Sequence, residues 1–173
     1  MVSIRRLTSG EGFAYLELLI DILVDCVEGG ASVSFMSPLT RETAEAFFHK
    51  VLLEVEKGDR ILLGAFDDED RLVGTVQVVT AMPPNQPHRA DIAKLLVKRS
   101  ARGQGVAALL MAEVDAVSRE AGKTLLVLDT ATGETAERLY ERMGWTRVGV
   151  IPNYALFPDG RPCDTTFFWK QLA

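Results

Sequence analysis

The chain has 173 residues, with 19 Lys and Arg against 24 Asp and Glu and a formal charge of −5. That length suits one domain, 1–173, with a real core, and the acidic balance argues against general nucleic-acid binding. Cys26 and Cys163 make no disulfide framework, His49 and His88 join no cluster with metal-ligand spacing, no apolar run of signal-peptide type follows Met1–Arg6, and no segment has the length of a membrane helix. The expected location is cytoplasmic, with no metal, nucleic-acid or membrane partner.

Val2 to Leu7 alternates enough for a first strand. From Glu11 to about Val27 the period is helical: Phe13, Leu16, Ile20, Leu23 and Val27 share one face. Glu17, Asp21, Asp25 and Glu28 form an acidic stripe on another, either a solvated face or an attractant for a cationic amine. Gly29-Gly30 ends this helix, and the segment to Pro38 reads as a loop. Thr40 is a good N-cap for a second helix, Arg41 to Lys57, with Gly58 as its stop and Phe47, Val51 and Val55 at apolar spacing. His49 falls near a different face and reads as structural. Arg60 to Phe66 and Leu72 to Thr80 form a hairpin about the acidic turn Asp67–Asp70, which lacks the glycine and distant Glu of a calcium loop. Pro83, Pro84 and Pro87 stiffen the connector that follows.

Ile92 to Val97 is a short, mostly apolar run suited to a buried strand. Lys98, Arg99, Arg102, Gly103 and Gly105 come next, and then Leu110, Val114, Val117 and Ala121 at helical spacing, with Gly122 where a helix C-terminus favours αL. The first N–H groups of a helix lack intrahelical partners and carry the positive end of its dipole. Glycines let an anion approach the main chain, and Arg102 adds a planar fork of donors. The loop is therefore expected to bind phosphate or pyrophosphate at the start of a helix beginning near Val106. The plain alternative is a tight turn with solvated arginines. No Lys-Ser or Lys-Thr follows the glycines, so this is not a nucleotide-triphosphate loop. Gly103, Gly105 and Ala108 spell G-x-G-x-x-A, but Lys98 to Arg102 separate the first glycine from the strand end, and a single strand–helix–strand unit falls short of a dinucleotide fold.

Thr124 to Leu128 is the next buried strand, ending at Asp129 and reached by a right-handed parallel crossover. Thr132 to Thr135 can cap a short helix ending at Met143, with Gly144 as C′. Trp145 to Ile151 and Thr165 to Trp169 are the last strands, around a turn at Pro158-Asp159-Gly160. The order β-α-α-β-β-β-α-β-α-β-β gives an α/β fold, a mixed sheet with helices on both faces.

Arg102-Gly103-Gln104-Gly105-Val106-Ala107 resembles the R/Q-x-x-G-x-G/A pyrophosphate loop of the GNAT N-acetyltransferase family. Leu95-Leu96-Val97 resembles that family's fourth strand, and Ala136 to Trp145 its A-x-x-L-Y-x-x-x-G-F/W segment. Gly29 to Met36, Leu128-Asp129-Thr130, and the tail from Gly149 to Tyr154 and Pro158 to Gly160 look like the tabtoxin-resistance branch. The resemblance implies the GNAT acyl-CoA N-acyltransferase fold, with the strands ending near Val97 and Asp129 splayed apart around pantetheine. It implies acetyl-CoA as co-substrate, held by Leu95, Leu96, Val97, Arg102, Gly103, Gln104, Gly105, Val106, Ala107 and Ala108. The acceptor it implies is a primary amine of a small molecule such as a toxin or antibiotic. Tyr140 stands where the family's Tyr protonates the CoA sulfur, with Asp129 and then Asp91 as candidate bases. The loop with Ser32, Phe35 and Met36 is the expected acceptor wall. The family's Asn before the last helix is replaced near Gly133. A peptide or protein amine as acceptor, or a CoA-binding domain without turnover, stays open. Dimers are common in the family, so a homodimer is a further expectation.

Overall fold

The computed structural model describes residues 1–173. The elements are β1 (Ser3–Leu7), α1 (Ser9–Ala14), α2 (Leu16–Glu28), α3 (Arg41–Lys57), β2 (Arg60–Phe66), β3 (Leu72–Val79), β4 (Arg89–Val97), a 3₁₀ turn (Arg99–Ala101), α4 (Val106–Glu120), β5 (Leu125–Ala131), α5 (Thr135–Arg142), β6 (Thr146–Leu156) and β7 (Pro162–Gln171). The strands form one sheet in the order β1-β2-β3-β4-β5-β7-β6. Only β4 and β5 run parallel, as the crossover through α4 requires. Each face of the sheet carries its own apolar core. Leu110, Val114 and Val117 of α4 pack on Leu126, Leu128 and Phe168 on one side. Leu19 and Leu23 of α2 and Phe48 and Leu52 of α3 pack on Leu62 and Phe66 on the other.

Helix ends follow the capping chemistry in the sequence. The Thr40 hydroxyl accepts the Thr43 N–H at the start of α3, and Gly58 closes it in αL with φ 83°. The helix expected from Glu11 to Val27 is instead two. Thr8 and Glu11 form a reciprocal capping box that opens α1, and the chain leaves helical geometry at Tyr15, whose ring meets Phe66 edge-on at 5.1 Å. Phe13 then lies on the surface against His49, off the buried face expected of it. Gly12 is where α1 crosses α3: a Cβ there would come within 2.1 Å of Leu52 Cδ2.

Other boundaries move as well. β4 starts at Arg89, so Asp91 is its third residue, and β5 runs on to Ala131, so Asp129 lies inside the strand. Glu134, inside the stretch Thr132 to Thr135 expected to cap α5, is its N-cap, and it makes no side-chain cap bond. β6 and β7 form a longer hairpin than their apolar cores announce.

The most consequential irregularity is in β4. Thr75 pairs with Leu96 but Gln77 pairs with Ala93, so Val76 faces two residues, Lys94 and Leu95. This is a β-bulge, with Lys94 at φ 54°. Ile92 and Leu95, three residues apart, consequently both meet the α4-side core. Bulges bend a strand, and β4 keeps its partner β3 on one side while losing β5 on the other. The β4–β5 ladder is only Arg89↔Leu125, Ala90↔Leu126 and Asp91↔Val127.

Candidate active site

Beyond Asp91 and Val127 the two parallel strands are unpaired, and a cleft of about 570 Å³ opens between them. Leu95, Leu96 and Val97 border it from β4, and Leu128, Asp129 and Thr130 from β5. Its mouth is the loop into α4. Gly103 and Gly105 stand at φ 75° and 77°, in the left-handed region, and a Cβ on either would point into open space. Gly105 is the N-cap of α4 and offers no side chain, so the N–H groups of the first turn stay available. Gly74 lets this end of α4 sit close to the sheet: its Cβ would meet Leu96 O at 3.1 Å and Val106 Cγ1 at 3.2 Å.

The acidic stripe on α2 braces this loop. Asp25 accepts the Arg99 main-chain N–H at 2.8 Å and its Nε at 2.9 Å. Desolvation opposes its ionisation, but those hydrogen bonds and the guanidinium charge outweigh it and hold the carboxyl below its usual range. Glu17 and Asp21 are spent on Arg41 at 2.5 and 2.7 Å. Two guanidinium groups, Arg41 and Arg99, thus meet the four carboxylates of the stripe and compensate half of its charge. Arg102 turns inward, its Nε donating to Val97 O at 3.1 Å and its Nη2 lying 3.7 Å from Cys26 Sγ. Burial pushes the Cys26 thiol up, so it stays a protonated packing group beside the cleft and not a nucleophile.

Deeper in the cleft, Tyr140 is buried between Trp145 and Phe168, with ring centroids 6.0 and 5.7 Å away. Burial, and then the charge of Asp129, raise its pKa well above that of a free phenol, so its hydroxyl keeps its proton. Asp129 borders the cleft where solvent still reaches it. Surrounding protein raises its pKa, Lys94 works against that shift and Asp91 adds to it. Asp91 shares the face of Asp129, since paired residues of parallel strands point the same way and Asp129 is two beyond Val127. It does not border the cleft, however, and its carboxylate is taken by Arg89.

Of the expected cofactor residues, Leu95 to Val97, Arg102, Gly103 and Gly105 to Ala108 line the cleft, whereas Gln104 does not; its amide turns to Ser100 O at 3.4 Å. Ser32 borders the cleft and donates to Leu156 O at 2.8 Å, tying the 29–40 loop to the β6–β7 hairpin. Phe35 stands behind that wall, edge-on to Phe47 at 5.2 Å, and Met36 is 48% exposed; neither borders the cleft. Sequence reasoning passed over Lys94, which does. The signal was there: one charge inside the apolar run Ile92 to Val97.

A mixed sheet that parts between two parallel strands, over a glycine-led helix N-terminus, is the architecture of the GNAT acetyltransferases. Residues 17–145 match the model of the acetyltransferase (GNAT) family, and the chain belongs to that family. Solved structures agree on the fold. A phosphinothricin acetyltransferase from Sinorhizobium meliloti, in complex with acetyl-CoA, superposes with a TM-score of 0.82 at 16% identity, covering 99% of this chain and 89% of its own. A ribosomal-protein-alanine N-acetyltransferase from Brucella melitensis reaches 0.82 at 24%, covering 98% and 99%. An N-acetyltransferase from Staphylococcus aureus Mu50 reaches 0.82 at 18%, covering 100% and 99%.

Proposed function

We propose that this protein transfers the acetyl group of acetyl-CoA to a primary amine of a small molecule, in the manner of the tabtoxin-resistance branch, with a toxin or antibiotic as acceptor. The observation that carries the reading is the parted β4–β5 ladder leading to Gly103 and Gly105 at the start of α4. The residues present suit the donor. Two αL glycines with open space at Cβ and the free N–H groups of the first turn fit a pyrophosphate. Arg102 adds its charge at the cleft, although its Nε and Nη2 are turned to Val97 O and Cys26 and not outward as the expected fork. The unpaired edge of β4 fits the amides of pantetheine.

The donor supplies an acyl group activated as a thioester. The chain supplies the rest. Asp129, on the cleft wall, takes a proton from the acceptor ammonium directly or through water, and the rise in its pKa makes it a stronger base than a free aspartate. The amine nitrogen then bonds to the carbonyl carbon, the C–S bond breaks as Tyr140 gives its proton to the departing sulfur, and the second proton that the nitrogen sheds in becoming an amide returns through solvent to restore Tyr140. Asp91, held by Arg89, ranks second as a base.

Calorimetry with acetyl-CoA tests the reading, together with a thiol-release assay over a panel of small amines. Wild type is expected to bind acetyl-CoA and to release CoA with at least one amine. Gly105→Val, whose side chain would project into the mouth of the cleft, is expected to lose roughly tenfold or more in affinity, about 1.4 kcal/mol. Unchanged affinity in that variant would sink the loop assignment. NAD binding without CoA binding would hand the site to the dinucleotide alternative, and CoA binding without turnover on any amine to the sensor alternative.

A further inference from the structure

Lys94 is the one charged residue in the apolar run of β4, and it sits at the bulge with φ 54°. Ser34, in the loop after α2, is likewise held in the left-handed region, at φ 77°. Non-glycine residues seldom stay there unless their surroundings hold them, and such positions cluster at functional sites. These two come from separate parts of the chain and meet in one hydrogen bond, Lys94 Nζ to Ser34 Oγ at 3.0 Å, on the wall of the cleft.

The ammonium has no carboxylate in ion-pair contact. On one side it lies 5.8 Å from the ring centroid of Phe47. Asp129 borders the same cleft, also without an ion-pair partner, near enough for each charge to act on the other. Burial makes Lys94 less willing to hold its proton, with Asp129 acting the other way and Arg60 adding to the loss. Two opposite charges thus face one cavity, and neither is neutralised by contact. A ligand carrying both signs would restore both interactions. The donor's pyrophosphate does not compete for Lys94: the phosphate-binding loop begins beyond Val97, roughly 10 Å further along an extended strand.

We propose that Lys94 binds an acidic group of the acceptor, so that the acceptor is a small zwitterion, an amino acid or analogue whose carboxylate or phosphinate lies a few bonds from the reacting amine. Ser34 orients Lys94, Phe47 flanks it, and Asp129 receives the ammonium. This rests on the acetyl-transfer reading and narrows it.

The test compares matched probes in steady-state kinetics. The twenty L-amino acids and phosphinothricin are each run beside the corresponding carboxamide or ester, which keeps the amine and removes the acid. Wild type is expected to favour the best zwitterion over its neutral partner by roughly ten- to a hundred-fold in kcat/KM, the range of a hydrogen bond to a charged group. Lys94→Met should abolish that preference mainly through the acceptor's KM, leaving the KM of acetyl-CoA unchanged, and Lys94→Arg should restore part of it. Circular dichroism and acetyl-CoA affinity report whether each variant folds. Preference intact in Lys94→Met, equal loss on both members of a pair, or a wild type that uses only plain amines would each overturn the proposal. A wild type that neither binds acetyl-CoA nor releases CoA with any probe would overturn the acetyl-transfer reading, and this proposal with it.

Discussion

At the scale of single residues, burial decides which groups hold protons. Tyr140 is kept as a neutral phenol by its apolar surroundings. Removing only its hydroxyl should leave packing and acetyl-CoA affinity in place while lowering kcat roughly ten- to a thousand-fold, as acid catalysis allows. Stopped-flow or steady-state rates on Tyr140→Phe decide this; an unchanged kcat where chemistry limits would reduce Tyr140 to a packing residue. Asp129 makes a different prediction. Its pKa is higher folded than unfolded, so its ionisation works against the folded state. That penalty is full above the folded pKa and vanishes below the unfolded one, about 3.9. Asp129→Asn should therefore melt higher than wild type near pH 7, with the gain shrinking as pH falls towards 4, while kcat/KM drops most steeply below neutrality. A lower melting temperature at neutral pH would show that Lys94 and Asp129 stabilise each other more than burial costs them. The loop glycines were legible from sequence because their chemistry lies in consecutive residues. Lys94 stood out only as a charge in an apolar run; its place in the cleft was not legible, since that depends on a bulge, on a loop sixty residues earlier in the chain and on a missing strand partner, none of them local.

Among the elements, α2 shows how a charge pattern acquires a purpose only in three dimensions. Its stripe reads as a solvated face, yet Asp25 reaches across to the turn that leads into α4 and fastens it twice. Hydrogen bonds to charged groups are worth about 1.5–3 kcal/mol when well made, and here part of that goes into holding the anion-binding loop in shape. Asp25→Asn should raise the KM for acetyl-CoA several-fold with little change in that for the acceptor, as substrate-titration kinetics can show. Because the Asp25 carboxyl is held below its usual range, its contribution is present above the unfolded pKa and is lost as pH falls through the folded one. Equal effects on both substrates would mean that the loop is not what Asp25 supports. Helix α3 was readable to the residue because Thr40 and Gly58 punctuate it locally. The break at Tyr15 was not, since it comes from the fit of α1 against α3 and β2, through Gly12 and Phe66.

At the scale of the molecule, element order was enough to anticipate a mixed sheet with helices on both faces, and the resemblance to the GNAT family to anticipate that the strands ending near Val97 and Asp129 would part. How far it parts was not legible, because alternation along β4 is interrupted by its extra residue. The parted ladder has a consequence for isotope exchange. Main-chain groups on the β5-facing edge of β4 beyond Asp91, and their counterparts on β5 beyond Val127, sit mid-sheet without strand partners. In the free protein, amides along that seam should take up deuterium from solvent faster than those of β2 and β3, which are paired along both edges. Acetyl-CoA should slow the seam selectively, as its pantetheine stands in for the missing strand, and leave β1 untouched. Deuterium uptake read by mass spectrometry would draw the path of the ligand along β4 and β5, and a seam already protected in the free protein would mean that the cleft is closed in solution.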